Sequence, residues 1–318
     1  MSILIYIDAE NGKVKKSAYE VATYARSLAT AQNVPLVALA VNVENPEKLG
    51  SYGVDKVLTL NDEKLQHFSA KAVAHALQQA AAQEDAKVVV LSASSQAKHI
   101  APLLAIYLKA DYAANVISLP ENGSTFSVKS HVFSNKAIAI QQLSTLVKLL
   151  SIAPNAFGVK ENPTDAVVTP FVPTLADTDF DVQVTAVEKG TDKVSLDEAA
   201  IVVSGGRGLK GAENWGIIEE LAEVLGAATA CSKPVADMGW RPHAEHVGQT
   251  GKPVAPNLYI AIGISGAIQH LAGVNGSKIK LVINNDPEAP FFKAADYGVV
   301  GDAFSVVPEL IKKLKARQ

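Results

Sequence analysis

Three stretches of the 318-residue chain carry residue types suited to a charged, flat ligand. The first is Gly263-Ile-Ser-Gly266, between the apolar run Leu258–Ile262 and Ala267-Ile-Gln-His270. Glycine lets a backbone turn sharply and approach a ligand, and free amides at a helix start favour an anion. A buried strand, a glycine-rich turn and a helix start together point to a phosphate-bearing cofactor. The same pattern also suits an ordinary strand-to-helix turn that needs glycine for steric reasons alone. The second stretch, Val247-Gly-Gln-Thr-Gly-Lys252, offers amides and a hydroxyl that can bond a flat polar ring. The third, Ser204-Gly-Gly-Arg-Gly208, adds Arg207, whose planar guanidinium forks onto phosphate. Polar residues recur just past expected strand ends: Arg207, Ser232, Ser265, Asn284 and Asp302. Around one parallel sheet they suggest a single crevice.

Other chemistry-bearing residues group less well. Ser92-Ala-Ser-Ser95 follows an expected strand and suits a helix cap better than a phosphate cradle, because no glycine fingerprint accompanies it. His67, His75, His99 and His131 have no ligand spacing, and His243 and His246 form no convincing pair, so no metal site is expected. Cys231 stands alone, which excludes an internal disulfide and reads as a small buried residue. No nucleophile, base and acid arrangement is visible, so no catalytic residue is assigned.

Alternating strands and helices must position these residues. Expected strands are Ile3–Ile7, Leu36–Asn42, Lys56–Leu60 and Lys87–Leu91, with helices at 17–30, 69–84 and 101–108 between and after them. From Ala113 to about Ile152, runs at 116–119, 125–129 and 137–141 read as consecutive strands and predict an antiparallel extension. Residues 153–181 are rich in proline and then aspartate, and read as a long crossing segment or linker. Asp181–Glu188 alternates like an edge strand. Strands then recur at 200–203, 258–262, 279–283 and 297–302, with helices at 213–225 and 308–314 and a strand end and turn over 229–237. The fold class is α/β: two doubly wound Rossmann-like domains with mainly parallel sheets, the first carrying the antiparallel extension. Domains are expected at 1–188 and 189–318.

Hydrophobic residues make up 48% of the chain and charged residues 19%, which supports large cores and argues against disorder. A net charge of -3 without a long basic run disfavours nucleic acid and membrane surfaces as partners. No apolar segment reaches a membrane span, and the N-terminus runs straight into a strand without a signal-type core. With the lone cysteine, this favours a reducing, cytoplasmic setting.

The ordered series Ser204-Gly-Gly-Arg-Gly208, Val247-Gly-Gln-Thr-Gly251, Gly263-Ile-Ser-Gly-Ala-Ile-Gln-His270, Asn285-Asp-Pro-Glu-Ala-Pro290 and Asp296-Tyr-Gly298 resembles the electron transfer flavoprotein alpha subunit. The resemblance is dense over about residues 200–314 and looser but collinear before that. It implies FAD in the second domain and a nucleotide-hydrolase-like first domain facing a beta subunit in a heterodimer. It further implies electrons taken from flavoprotein dehydrogenases, such as acyl-CoA dehydrogenases of fatty acid oxidation, and passed to a quinone oxidoreductase. Such a chain is an electron carrier, not an enzyme with its own substrate. Carried over by residue, Arg207 meets the pyrophosphate or flavin edge, and Ser232 and Lys233 lie near the isoalloxazine ring. Val247, Gly248, Gln249 and Thr250 form the flavin loop. Ser265, Gly266, Ala267, Ile268, Gln269 and His270 form the turn with phosphate and ring contacts. Asn284, Asp302 and Ala303 lie near the adenosine half. The family usually has arginine where this chain has Lys233, which puts the flavin potential and semiquinone stability in doubt, since arginine can also stack its plane on the ring whereas lysine is a strongly hydrated point charge. The alternatives are an electron-bifurcating or nitrogen-fixation-associated paralogue, a stand-alone flavoenzyme oxidising a small molecule, and, from the first domain alone, a nucleotide-binding stress-type module.

Overall fold

The computed structural model describes residues 1–121, 125–133, 135–182, 184–186, 195, 196 and 198–317. The chain forms two compact units, Met1–Val132 with Ile138–Lys189, and Phe133–Ala137 with Gly190–Gln318. The expected boundary between 188 and 189 lies outside the described residues.

The first unit starts with β1 (Ser2–Ile7), the small antiparallel hairpin β2 (Ala9–Glu10) and β3 (Lys13–Val14), and helix α1 (Lys16–Gln32). Then follow β4 (Leu36–Val41), β5 (Lys56–Leu60), α2 (Ala70–Gln83), β6 (Ala86–Ser92) and α3 (Ser95–Leu108). The remaining strands are β7 (Asp111–Val116), β8 (Phe126–Val132), β9 (Ala137–Leu143), β10 (Lys148–Ile152) and β11 (Val167–Pro170). Apart from the hairpin, the strands form one nine-stranded sheet in the order β11-β5-β4-β1-β6-β10-β7-β8-β9. Pairing is parallel from β11 through β7 and antiparallel between β7 and β8. Both faces of the central parallel strands are covered, as period-2 side-chain alternation requires of a sheet between helices, whereas Ile138 and Ile140 of β9 and Val167 of β11 are exposed. Ile3, Ile5 and Ile7 face Val21, Ala25 and Leu28 of α1, whereas Leu4 and Tyr6 face Val73 and Leu77 of α2 and Leu104 of α3.

Five expectations shift here. The strand expected at 116–119 is β7, which ends at Val116. The antiparallel run also contains β10, which returns to the parallel centre between β6 and β7. Helix α3 begins at Ser95 and not at Ala101, because the Ser94 hydroxyl accepts the Ala97 N–H at 3.1 Å and caps it. That is the capping role read for Ser92–Ser95. The crossing segment is no free linker: its β11 pairs with β5, and the Glu20 carboxylate accepts the N–H groups of Asn155, Phe157 and Gly158 at 3.0, 2.8 and 2.9 Å. Within 181–188, residues 181, 182 and 184–186 form no strand, and the others lie outside the described residues.

The second unit runs β12 (Ile201–Gly205), α4 (Gly216–Leu225), β13 (Ala228–Cys231), α5 (Lys233–Asp237), β14 (Leu258–Ile262), α6 (Ile268–Val274), β15 (Ile279–Asn284), β16 (Tyr297–Val300) and α7 (Ala303–Lys315). Its sheet is wholly parallel in the order β13-β12-β14-β15-β16. Val203, Ile260 and Ile283 face α4 and α7, while Val202, Tyr259 and Val282 face Val274 of α6 and Phe291. Residues 233–237 are a short helix where a turn was expected. Helix α7 begins five residues before Pro308, because the Asp302 carboxylate accepts the Phe304 N–H at 3.2 Å.

Candidate functional site

The chain leaves β12 for β13 on one side and then builds β14, β15 and β16 on the other. In doubly wound sheets such a reversal opens a crevice at the C-terminal strand ends, where ligands bind. Here the loops after β12 and β14 face each other across that reversal. Gly206 N–H donates to the Ile262 carbonyl at 2.9 Å, and Gly208 N–H to the Gly263 carbonyl at 3.0 Å. A Cβ on Gly206 would meet the Gly263 carbonyl oxygen at 2.2 Å, and one on Gly208 would meet Gly263 Cα at 2.7 Å. These glycines are therefore required by backbone touching backbone, which is the steric reading of the motif. Between them Arg207 is exposed, and its side chain makes no hydrogen bond or ion pair among the described residues. An unpaired guanidinium at a switch point is a ready anion ligand.

The loops from β13 and α5 close on the same end. Ser232 is buried, and its N–H donates to the Gly205 carbonyl at 3.1 Å. Val247 N–H donates to the Cys231 carbonyl at 3.0 Å, which prolongs β13 by a bridge. Gln249 N–H donates to the Gln269 carbonyl at 2.7 Å. A Cβ on Gly273 would lie 2.5 Å from Gly248 Cα, so Val247–Thr250 lies directly on α6. The structure thus brings Arg207, Ser232, Val247–Thr250 and Ser265–His270 to one end of one sheet. Gln249, Thr250, Ser265, Ala267, Ile268 and Gln269 are exposed there, while Gly248, Gly266 and His270 are buried. Asn284 and Asp302 are engaged locally. Asn284 Nδ2 donates to the Ile264 carbonyl at 3.1 Å while its Oδ1 accepts from Asp286 N–H at 3.0 Å, and Asp302 caps α7 above buried Ala303.

Electrostatics separate Lys233 from His270. Lys233 is exposed, and its Nζ lies 2.9 and 2.7 Å from the two carboxylate oxygens of Asp237, one helical turn on. That ion pair holds the Asp237 carboxyl below the usual range. His270 is only 6% exposed. Burial, with a smaller push from His246 and an opposing pull from the Val247 backbone, brings its pKa down to about 4. Its Nε2 lies 2.9 Å from the Tyr259 hydroxyl, while Nδ1 is buried with no hydrogen-bond partner among the described residues. A buried nitrogen without a partner is open to a ligand atom or a water. Cys231 is buried, and its thiol is pushed up to about 12 by burial and the Glu245 charge, so it is an unreactive packing residue.

Two positioning groups carried only faint sequence signals. Arg241 pairs with Glu245 at 2.9 and 2.7 Å and with Glu219 of α4 at 3.2 Å, and its guanidinium lies 5.4 Å from the Trp215 ring. This clamp holds the segment leading into Val247–Thr250. The four-residue spacing of Arg241 and Glu245 was the only clue. Tyr259 looks in sequence like one more apolar strand residue. No group of three or more metal-ligating side chains occurs among the described residues.

The site therefore fits a ligand with an anionic end near Arg207 and a flat, hydrogen-bonding end near His270. Residues 195–275 match the model of the electron transfer flavoprotein FAD-binding domain, and residues 3–200 match that of the electron transfer flavoprotein domain. The chain is 36% identical to the electron transfer flavoprotein subunit alpha of Thermoanaerobacterium thermosaccharolyticum, covering 98% of this chain and 97% of that one. It is also 36% identical to the subunit of that name in Bacillus subtilis, over 98% and 97% of the two chains. It is 33% identical to protein FixB of Clostridium saccharobutylicum, over 98% and 96%. On this evidence of sequence and fold, the chain belongs to the electron transfer flavoprotein alpha-subunit family.

Proposed function

We propose that the second unit binds FAD at the C-terminal ends of β12–β16. In this reading the chain, joined to a beta subunit, carries electrons from flavoprotein dehydrogenases, such as acyl-CoA dehydrogenases, to a quinone oxidoreductase in the cytoplasmic compartment. Family membership makes the chain an electron carrier without substrate turnover of its own. The bound flavin supplies the redox chemistry, and the protein supplies binding, orientation and charge. Arg207 holds the pyrophosphate with a guanidinium that no other side chain claims. Val247–Thr250 and Ser265–His270, fixed to each other by the bond from Gln249 to Gln269, orient the ring. Ser232 and Lys233 sit beside it, and the N-terminal domain, 1–188, faces the partner. The observation that carries the reading is the orphaned Nδ1 of His270 in a crevice rimmed by an unpaired arginine.

Co-expression with a beta subunit tests it. The expected product is a yellow heterodimer with about one FAD per pair, as the family's stoichiometry implies. Arg207→Ala should lose FAD on dialysis while the circular dichroism stays the same. A colourless heterodimer would reject the reading, and so would a monomer that carries flavin and transfers electrons alone.

A further inference from the structure

We propose that Tyr259 is a positioning residue that fixes the ring proton of His270 on Nδ1. The buried imidazole thereby presents an N–H to the electron-rich group lying against it, which on the FAD reading above is the flavin ring.

Four observations carry this. Tyr259 is 0% exposed, on the central strand β14, and its ring lies nearly parallel to that of Phe291, with 6.3 Å between centroids and 7° between planes. His270 stands 6.0 Å from Phe291 and 6.1 Å from Tyr259, so two aromatic rings restrict its orientation. The Tyr259 oxygen is 2.9 Å from His270 Nε2. Finally, Nδ1 is buried and makes no hydrogen bond among the described residues, with the Val247 backbone beside the ring.

The proton inventory follows from these contacts. Burial raises the Tyr259 pKa, so the phenol keeps its proton near neutral pH. Burial also keeps the imidazole neutral there, so it carries one proton. If that proton sat on Nε2, it would donate to the tyrosine oxygen, and the phenolic proton would need another acceptor. Ser204 is the other hydroxyl beside Tyr259 and can donate to the phenolic oxygen, but if it took the phenolic proton its own O–H would have no acceptor among the described residues. A buried O–H without an acceptor is costly. The arrangement in which Tyr259 O–H donates to Nε2 leaves no such orphan, and the ring proton then resides on Nδ1. The bond made by one imidazole nitrogen thus decides the state of the other. A fixed N–H donor stabilises a ring that gains negative charge more than the neutral ring, and so raises its reduction potential.

The experiment is nitrogen NMR of the histidine side chains in the co-expressed heterodimer, with His270→Gln used to assign the signal. The wild-type protein should show His270 with a pyrrole-type Nδ1 and a pyridine-type Nε2 at pH 7. Tyr259→Phe keeps the ring and removes the hydroxyl, and should move the pattern toward Nε2–H. In the same variant the flavin midpoint potential should fall. A wild-type signal showing Nε2–H or a doubly protonated ring would overturn the proposal without any variant. An unchanged pattern in Tyr259→Phe would overturn it as well, and so would an unchanged potential. If the purified protein carries no flavin, the FAD reading has failed, and the wild-type NMR pattern still decides which nitrogen holds the proton.

Discussion

Lys233 shows how much a side chain's influence depends on its neighbour. A cation beside a flavin favours the reduced, more negative ring, but here the Asp237 carboxylate sits 2.7 Å from the lysine nitrogen and offsets the charge. Lys233→Ala should lower the flavin midpoint potential, and Asp237→Asn should raise it by freeing the cation. Spectroelectrochemical titration reads both. Equal potentials in the two variants and the parent would show that Lys233 does not act on the ring. His270 makes a prediction of the opposite kind, about stability. Its folded pKa is about 4, against 6.5 for the ordinary group. Between those values the unfolded chain binds more protons than the folded one, so stability rises with pH across this window. Stability is lost as pH falls from 6.5 toward 4, by on the order of 3 kcal/mol for the full shift. Urea unfolding at pH 7 and pH 5 should show this dependence, and His270→Gln should flatten it.

At the level of elements, polar side chains fasten segments whose own sequence gives them no regular structure. Glu20 lies on the buried side of α1, only 7% exposed, and accepts three backbone N–H groups of the crossing segment. Glu20→Ala would leave those amides without an acceptor, and should cost about 2–3 kcal/mol, as for lost hydrogen bonds to a charged group. Thermal unfolding checks it, and an unchanged midpoint would show that water replaces the carboxylate. Gly266 is the matching case in the second unit. Its φ is +91°, and a Cβ would lie 2.6 Å from the backbone nitrogen of Phe291. Gly266→Ala forces both a rare backbone conformation and a collision with main chain, and should cost on the order of 2 kcal/mol. The same change should weaken cofactor retention, because Ser265 and Ala267 move with it.

For the whole molecule, two doubly wound sheets follow one another along the chain, and the proposed cofactor site lies at the end of the second alone. The second unit has a strand reversal at β12 and β14 with glycine loops on both sides, an unpaired arginine and an orphaned imidazole nitrogen. In the first unit the corresponding strand ends carry Asp8 and Ser92, which bond to each other, and α3 is capped by Ser94. Bound FAD should therefore protect the second unit selectively. At a hundredfold excess over its dissociation constant, a ligand stabilises the state it binds by about 2.7 kcal/mol. Hydrogen exchange should slow in peptides covering residues 230–275 and stay the same in peptides from residues 1–120. Equal protection in both regions would contradict a site confined to the second unit.

Periodicity and glycine spacing alone sufficed for the α/β class, for β5 and β14 to the residue, and for the three loops that meet at the crevice. Strands buried on both faces and helices with one apolar face write their pattern locally, so these features are legible in a single chain. The ordered motifs from Ser204 to Gly298 likewise sufficed for the family. Only the tertiary structure decided that Glu20 points inward, because a carboxylate on a helix looks the same in sequence whether water or three amides surround it. Only it placed β10 in the middle of the first sheet, since strand order depends on non-local pairing. The pairing of Lys233 with Asp237, the clamp of Arg241 between two glutamates and a tryptophan, and the Tyr259 hydroxyl at His270 are of the same kind. Each depends on which side chains converge after the sheet has formed, and burial then sets which atoms keep their protons.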